Sequence, residues 1–164
     1  MLFSQTEDRP VVSVADATRV GVVDACVVDP VAARVVALRL HKTKDSKRNI
    51  LTLSRARAIG SDAVMVEGAE VLETAEGGLA ELADKNRDMP QKRVLTDRGD
   101  ELGSLTDVDF DPESGAVLTL HTTAGDLEGK ALIGNGGYAV VVRAELTPAG
   151  STTPARGTPA PGTP

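Results

Sequence analysis

The sequence predicts an all-β protein made of two tandem, pseudo-symmetric β units, and three observations carry that prediction. One stretch occurs twice, apolar residues alternate with polar ones in both copies, and the core residues are almost all aliphatic. A shift of 82 residues brings Gly21 onto Gly103, Asp29-Pro30 onto Asp111-Pro112, Val35 onto Val117 and Leu38 onto Leu120. A second block follows at a shift of 74, where Leu53 meets Leu127 and Ile59-Gly60 meets Ile133-Gly134. After two residues of slippage, Ala63, Val64 and Val66 meet Ala139, Val140 and Val142. Phe3, Phe110 and Tyr138 are the whole aromatic content, so Val, Leu, Ile and Ala must fill the core, which suits strands.

Taken in order, residues 1–9 are polar and expected to be loose, with Leu2 and Phe3 able to dock. Val11, Val12 and Val14 predict a first short strand. Val20 to Val28 and Val35 to Leu40 predict a hairpin turning at Asp29-Pro30, where Pro presets φ and Asp can bond the backbone ahead of it. A charged hairpin tip follows. The first copy carries about eight extra residues between Leu38 and Leu53. Leu51, Leu53, Ile59, Val64, Met65 and Val66 complete the first unit, and Gly60-Ser61-Asp62 is a turn before its last strand.

Residues 73–91 form a connector in which Leu79 to Ala83 predict one or two helical turns and Asp84 to Lys92 a polar linker. The second unit spans 92–147 and the first 1–72. Val108 and Phe110 alternate with Asp107, Asp109 and Asp111, the period of a half-buried strand. Leu105 falls out of that phase, which predicts a β-bulge near Thr106 or Asp107. Asp-Pro-Glu-Ser-Gly at 111–115 is the turn, and Val117 to Thr122 the returning strand. Residues 148–164 contain only Pro, Ala, Gly, Ser, Thr and one Arg, the composition of a disordered tail.

The order apolar-Gly-x-apolar, a strand ending in Asp-Pro, an alternating strand, then Leu-x5-Ile-Gly-x-Asp-Ala-Val resembles the PRC-barrel domain. The residues are Val20-Gly21-Val22-Val23, Asp29-Pro30, Val35 to Leu40, and Leu53 with Ile59-Gly60-Ser61-Asp62-Ala63-Val64. The second copy departs from the pattern at Asn135-Gly136-Gly137-Tyr138. The resemblance implies two tandem small PRC-like β-barrels, packed as a pseudo-symmetric pair. It also implies a protein-interaction or assembly module rather than an enzyme.

The residues point the same way. A net charge of −6 opposes general nucleic-acid binding. The single cysteine, Cys26, excludes an internal disulfide and a cysteine-built zinc site, and its apolar neighbours mark it as a buried small hydrophobe. His41 and His121 have no partners at metal-ligand spacing. Asp107, Asp109, Asp111 and Glu113 are expected to form a solvated acidic face. The glycines at 135–137 suggest a phosphate loop, yet no helix pattern follows them. No apolar run approaches the ~20 residues that span a bilayer, and no signal peptide is visible, so a cytoplasmic protein without cofactors is expected.

One feature is polarised. Between Arg39 and Arg57 stand Arg39, Lys42, Lys44, Lys47, Arg48, Arg55 and Arg57, seven cations against Asp45 alone. The rest of the chain holds 11 cations and 23 acids. These seven are the candidate partner-binding residues, and an acidic protein is the expected partner. A homodimer, a ribosome- or RNA-associated maturation factor and a ligand-binding barrel are the alternatives.

Overall fold

The computed structural model describes residues 1–146, so the tail expected to be disordered lies outside the described residues. The first unit contains β1 (Pro10–Ser13), β2 (Arg19–Asp29), β3 (Arg34–His41), β4 (Ile50–Thr52), β5 (Ala58–Ile59) and β6 (Val64–Val66). The second contains β7 (Arg93–Thr96), β8 (Glu101–Phe110), β9 (Val117–Thr122), β10 (Gly125–Glu128), β11 (Leu132–Asn135) and β12 (Ala139–Val142). Each unit forms a six-stranded mixed sheet, ordered β4-β3-β2-β1-β6-β5 and β10-β9-β8-β7-β12-β11. The two orders are the same once six is subtracted from the second. In each, only the first and last-returning strands run parallel, β1 with β6 and β7 with β12. Among the described residues, no ladder joins β4 to β5 or β10 to β11.

The repeat extends to single hydrogen bonds. Val14 N–H donates to Val66 O at 2.8 Å, and Asp97 N–H to Val142 O at 2.9 Å. Asp8 and Gln91 both take a left-handed φ, 65° and 75°, just ahead of their first strands. The expected bulge is present: the β8–β9 register slips between Leu105 and Asp107, and β2–β3 slips at the matching place between Val23 and Ala25. An extra residue there, Thr106 or Asp24, returns the apolar set to the core side.

The later alignment needs a correction. Leu127 pairs across to Leu120, and Leu51 pairs across to Leu38, so Leu51 rather than Leu53 is the counterpart of Leu127. Gly60 N–H donates to Ala63 O and Gly136 N–H to Ala139 O, which matches Gly60 to Gly136 and not to Gly134. One shift of 76 therefore serves from Leu51 to Val66, and the first unit's insertion is six residues rather than eight.

The two units share one core. Val23, Leu38, Leu51 and Val64 of the first unit and Leu105, Val108, Phe110 and Leu120 of the second are all fully buried in a single cluster. The units also meet along a pseudo-dyad. Arg34 and Ala116, equivalent positions, bridge each other antiparallel. Around them Val35 N–H donates to Gly115 O at 2.7 Å and Val117 N–H to Ala33 O at 2.9 Å.

Residues 1–9, expected to be loose, are docked. Helix α1 (Phe3–Thr6) lies against β8. Phe110 N–H donates to Met1 O at 2.8 Å, Ser4 N–H donates to an Asp107 carboxylate oxygen at 3.2 Å, and the Phe3 ring meets Phe110 edge-on at 5.6 Å. Helix α2 (Gly77–Leu82) covers the outer side of the first sheet, where Leu79, Leu82 and Ala83 close over Val27, Ala37 and Ile50. At the matching places the second sheet carries Asp109, Thr119 and Asp126, and it has no such cover among the described residues.

Candidate functional site

The seven candidate cations do not form one surface. Arg39 is 7% exposed, and it belongs to the interior. Strand β3 sets it beside the bulge residue Asp24, whose carboxylate accepts from Nε at 2.7 Å. Its two Nη atoms donate to the two carboxylate oxygens of Asp88 at 2.9 and 2.8 Å, and Nη1 also reaches Ala83 O at 3.0 Å. Burial acts to lower the Arg39 pKa, but the bonds to Asp88 and Asp24 outweigh it, and the net shift is upward. A fork of this geometry fixes the connector to the first sheet. It leaves nothing to offer a partner.

Arg55 and Arg57 lie beyond β4 and face acids of their own unit, Glu73 at 3.9 Å and Glu67 at 3.0 Å. Arg48 is a strut. Its Nε donates to Leu72 O at 3.1 Å, and its Nη2 to Leu72 O at 2.6 Å and Glu70 O at 3.0 Å. Those bonds hold the base of the inserted loop. Its tip is fixed by Asp45, which accepts from Lys47 N–H at 2.9 Å through its side chain and from Arg48 N–H at 3.0 Å through its carbonyl. Lys42 takes a φ of 57° at the point where β3 gives way to the loop.

The loop walls a cleft of about 650 Å³ against the start of β2. Four cations line it: Lys42, Lys44 and Arg48 from the loop, and Arg19 from β2. Two acids, Asp16 and Asp45, line it too, and Val20, Ala69 and Leu72 supply apolar wall. Arg19, Lys42, Lys44 and Lys47 are exposed, and their charged groups make no ion pair among the described residues. Lys47 stands outside the cleft lining. Arg19 was not legible as a member, because it lies twenty residues before the cationic run and only the β2–β3 hairpin brings it there.

The remaining candidates hold structure. Asp111 caps its own turn, accepting from Glu113 N–H at 2.9 Å and Ser114 Oγ at 3.1 Å, and those bonds hold its carboxyl below the usual range. The Gly136 carbonyl is taken by the Lys92 ammonium, which also bonds Asn86 O, so the 135–137 turn is tied to the connector. His121 Nδ1 lies 2.8 Å from Asp126 on the exposed face of the second sheet. Cys26 is half-buried, 3.4 Å from Thr6 Oγ1, and burial pushes its thiol up to about 12. Among the described residues, no three His, Cys, Asp or Glu side chains are grouped to hold a metal ion, and no helix is long and apolar enough to cross a membrane.

No family model matches the chain, and no curated protein matches it.

Proposed function

We propose that the chain is a non-catalytic, cytoplasmic protein-interaction or assembly module built on a tandem pair of PRC-barrel-like repeats. One observation carries the reading. Two repeats with the same strand order differ by a six-residue insertion, and the loop that holds it presents three exposed lysines, Lys42, Lys44 and Lys47, with no internal ion pair among the described residues. An insertion that only closed a hairpin would have no need of Arg48 anchoring it by three hydrogen bonds. A loop held rigid with its lysines outward is pre-organised, which lowers the ordering cost of binding. The docking surface is Lys42, Lys44 and Lys47, with Arg19 beside them; Arg39 is excluded by its burial. The partner is an acidic protein.

The test is charge reversal. A triple variant, Lys42→Glu, Lys44→Glu and Lys47→Glu, is compared with the parent chain in affinity capture from the native cell, read by mass spectrometry. Loss of one defined set of partners with unchanged thermal stability supports the reading. Identical capture by the two proteins removes the loop from the function.

A further inference from the structure

We propose that the cleft between the inserted loop and the start of β2 seats an acidic peptide segment in extended conformation. Its backbone lies beside Arg19 and Val20, and its carboxylates meet Arg19, Lys42 and Lys44. The proposal deepens the interaction-module reading and rests on it.

Charge is the first argument. The cleft carries four cations and two acids, so it is net positive in a chain of net charge −6. One of the two acids, Asp45, already accepts a backbone hydrogen bond from the loop. A cleft of one sign set in a surface of the other focuses the field and selects an oppositely charged ligand.

Strand geometry is the second. The β1–β2 ladder runs out to Arg19, whereas the β2–β3 ladder stops at Val22–His41. Thr43 packs over Gly21, its methyl 3.0 Å from where a Cβ would stand, so the part of the strand that borders the cleft is Arg19–Val20. Pairing in the second repeat ends at the equivalent place, where Ser104 N–H donates to Thr123 Oγ1 and Thr123 N–H to Ser104 O, both at 3.0 Å. Beyond that point only the first repeat carries the inserted loop, which walls the cleft beside Arg19 and Val20. A strand end with a ladder on one side only is where an extended peptide adds by main-chain hydrogen bonds, with side-chain contacts giving selectivity.

The walls are the third. Val20, Ala69 and Leu72 accept small apolar groups, and no aromatic side chain lines the cleft to stack a base. A volume of about 650 Å³ suits a few residues of peptide.

The experiment uses the full chain and a fluorescein-labelled six-residue peptide of alternating Glu and Ala, at about 50 mM salt. Anisotropy should give saturable binding with a Kd below about 1 mM. The Gln-for-Glu peptide should bind at least about tenfold more weakly, and raising the salt should weaken the Glu peptide. Arg19→Glu and Lys44→Glu should each cost at least about fivefold, and Lys47→Glu less than about twofold, since Lys47 lies outside the cleft. Amide shifts in NMR should cluster at Arg19, Val20 and residues 42–44. No saturable binding overturns the proposal, as does an equal loss from Lys47→Glu and Lys44→Glu. Tighter binding of an oligouridine of equal charge through the same residues overturns it and the protein-partner reading together. If the peptide fails while the triple variant still loses its captured partners, the cleft is wrong and the interaction module stands.

Discussion

Val35 and Val117 hold their hairpins together by the same bond made twice. The Val35 N–H donates to Gly115 O at 2.7 Å, and the Val117 N–H donates to Ala33 O at 2.9 Å. The donors are equivalent residues of the repeat, and so are the acceptors, since Ala33 and Gly115 also lie 82 apart. Both acceptors are left-handed, with φ of 52° and 82°. The pair is the arrangement of a two-fold interface written into one chain.

The two acceptors should respond differently to substitution. A Cβ at Gly115 would stand 2.3 Å from Val35 O, so Gly115→Ala should destabilise by at least about 2 kcal/mol. Ala33→Gly relieves a left-handed cost of about 1 kcal/mol but loosens the unfolded chain by a comparable amount, so it should be nearly neutral. Urea titration of both variants checks the contrast, and equal effects would remove the close contact as its cause.

Arg39→Met should destabilise more than the loss of either acid alone. It strips four hydrogen bonds at once and leaves Asp24 and Asp88 facing each other without a cation. Both carboxylates are over a third exposed, so the loss should be roughly 2–3 kcal/mol, below that for a fully buried pair. Asp24→Asn and Asp88→Asn should each cost less. Chemical denaturation of the three variants is the measurement.

Glu7 makes a pH dependence with a definite sign. Burial first, then repulsion from Asp8, Asp107, Asp24 and Asp88, raises its pKa above the ordinary 4.5. The folded state therefore binds this proton more tightly than the unfolded state does. The stabilisation is fully present below pH 4.5 and is lost as pH rises through the folded value. Relative to the parent, Glu7→Gln should gain stability at pH 7, and the gain should fade as pH drops toward 4.5. Parallel thermal melts at several pH values test this; a gain that persists at low pH would contradict it.

Cys26 should be inert in the folded protein. Its thiol is pushed up to about 12, and the thiolate is the reactive form. At pH 8, iodoacetamide should label it only after unfolding in urea. Fast labelling of the native protein would show the side chain to be more open than described.

The repeat and its first hairpins were legible because Gly, Asp-Pro and alternating aliphatics keep their order across 82 residues. The bulge near Thr106 was legible too, since Leu105 breaks a strict period of two. The later register was not. Leu51 and Leu53 both offer a leucine two residues apart, and a slip of two keeps the same face, so burial alone does not choose between them. The cationic run was half legible. Arg39 looks like its neighbours in sequence, but its acids come from 15 residues upstream and 49 downstream. The first nine residues look loose by composition; a strand roughly a hundred residues away orders Met1 to Ser4, and β2 holds Thr6 to Arg9.

That distance has a consequence for synthesis. Phe3 leaves the ribosome long before Phe110, its edge-on partner, has been translated. The contacts of Met1, Phe3 and Ser4 must wait while most of the chain emerges, and Arg39 waits in the same way for Asp88. Contacts this far apart slow folding, because the chain entropy is lost before the contacts form. The nascent first half is thus an unfinished object, and completion should come in one late, cooperative step rather than half by half.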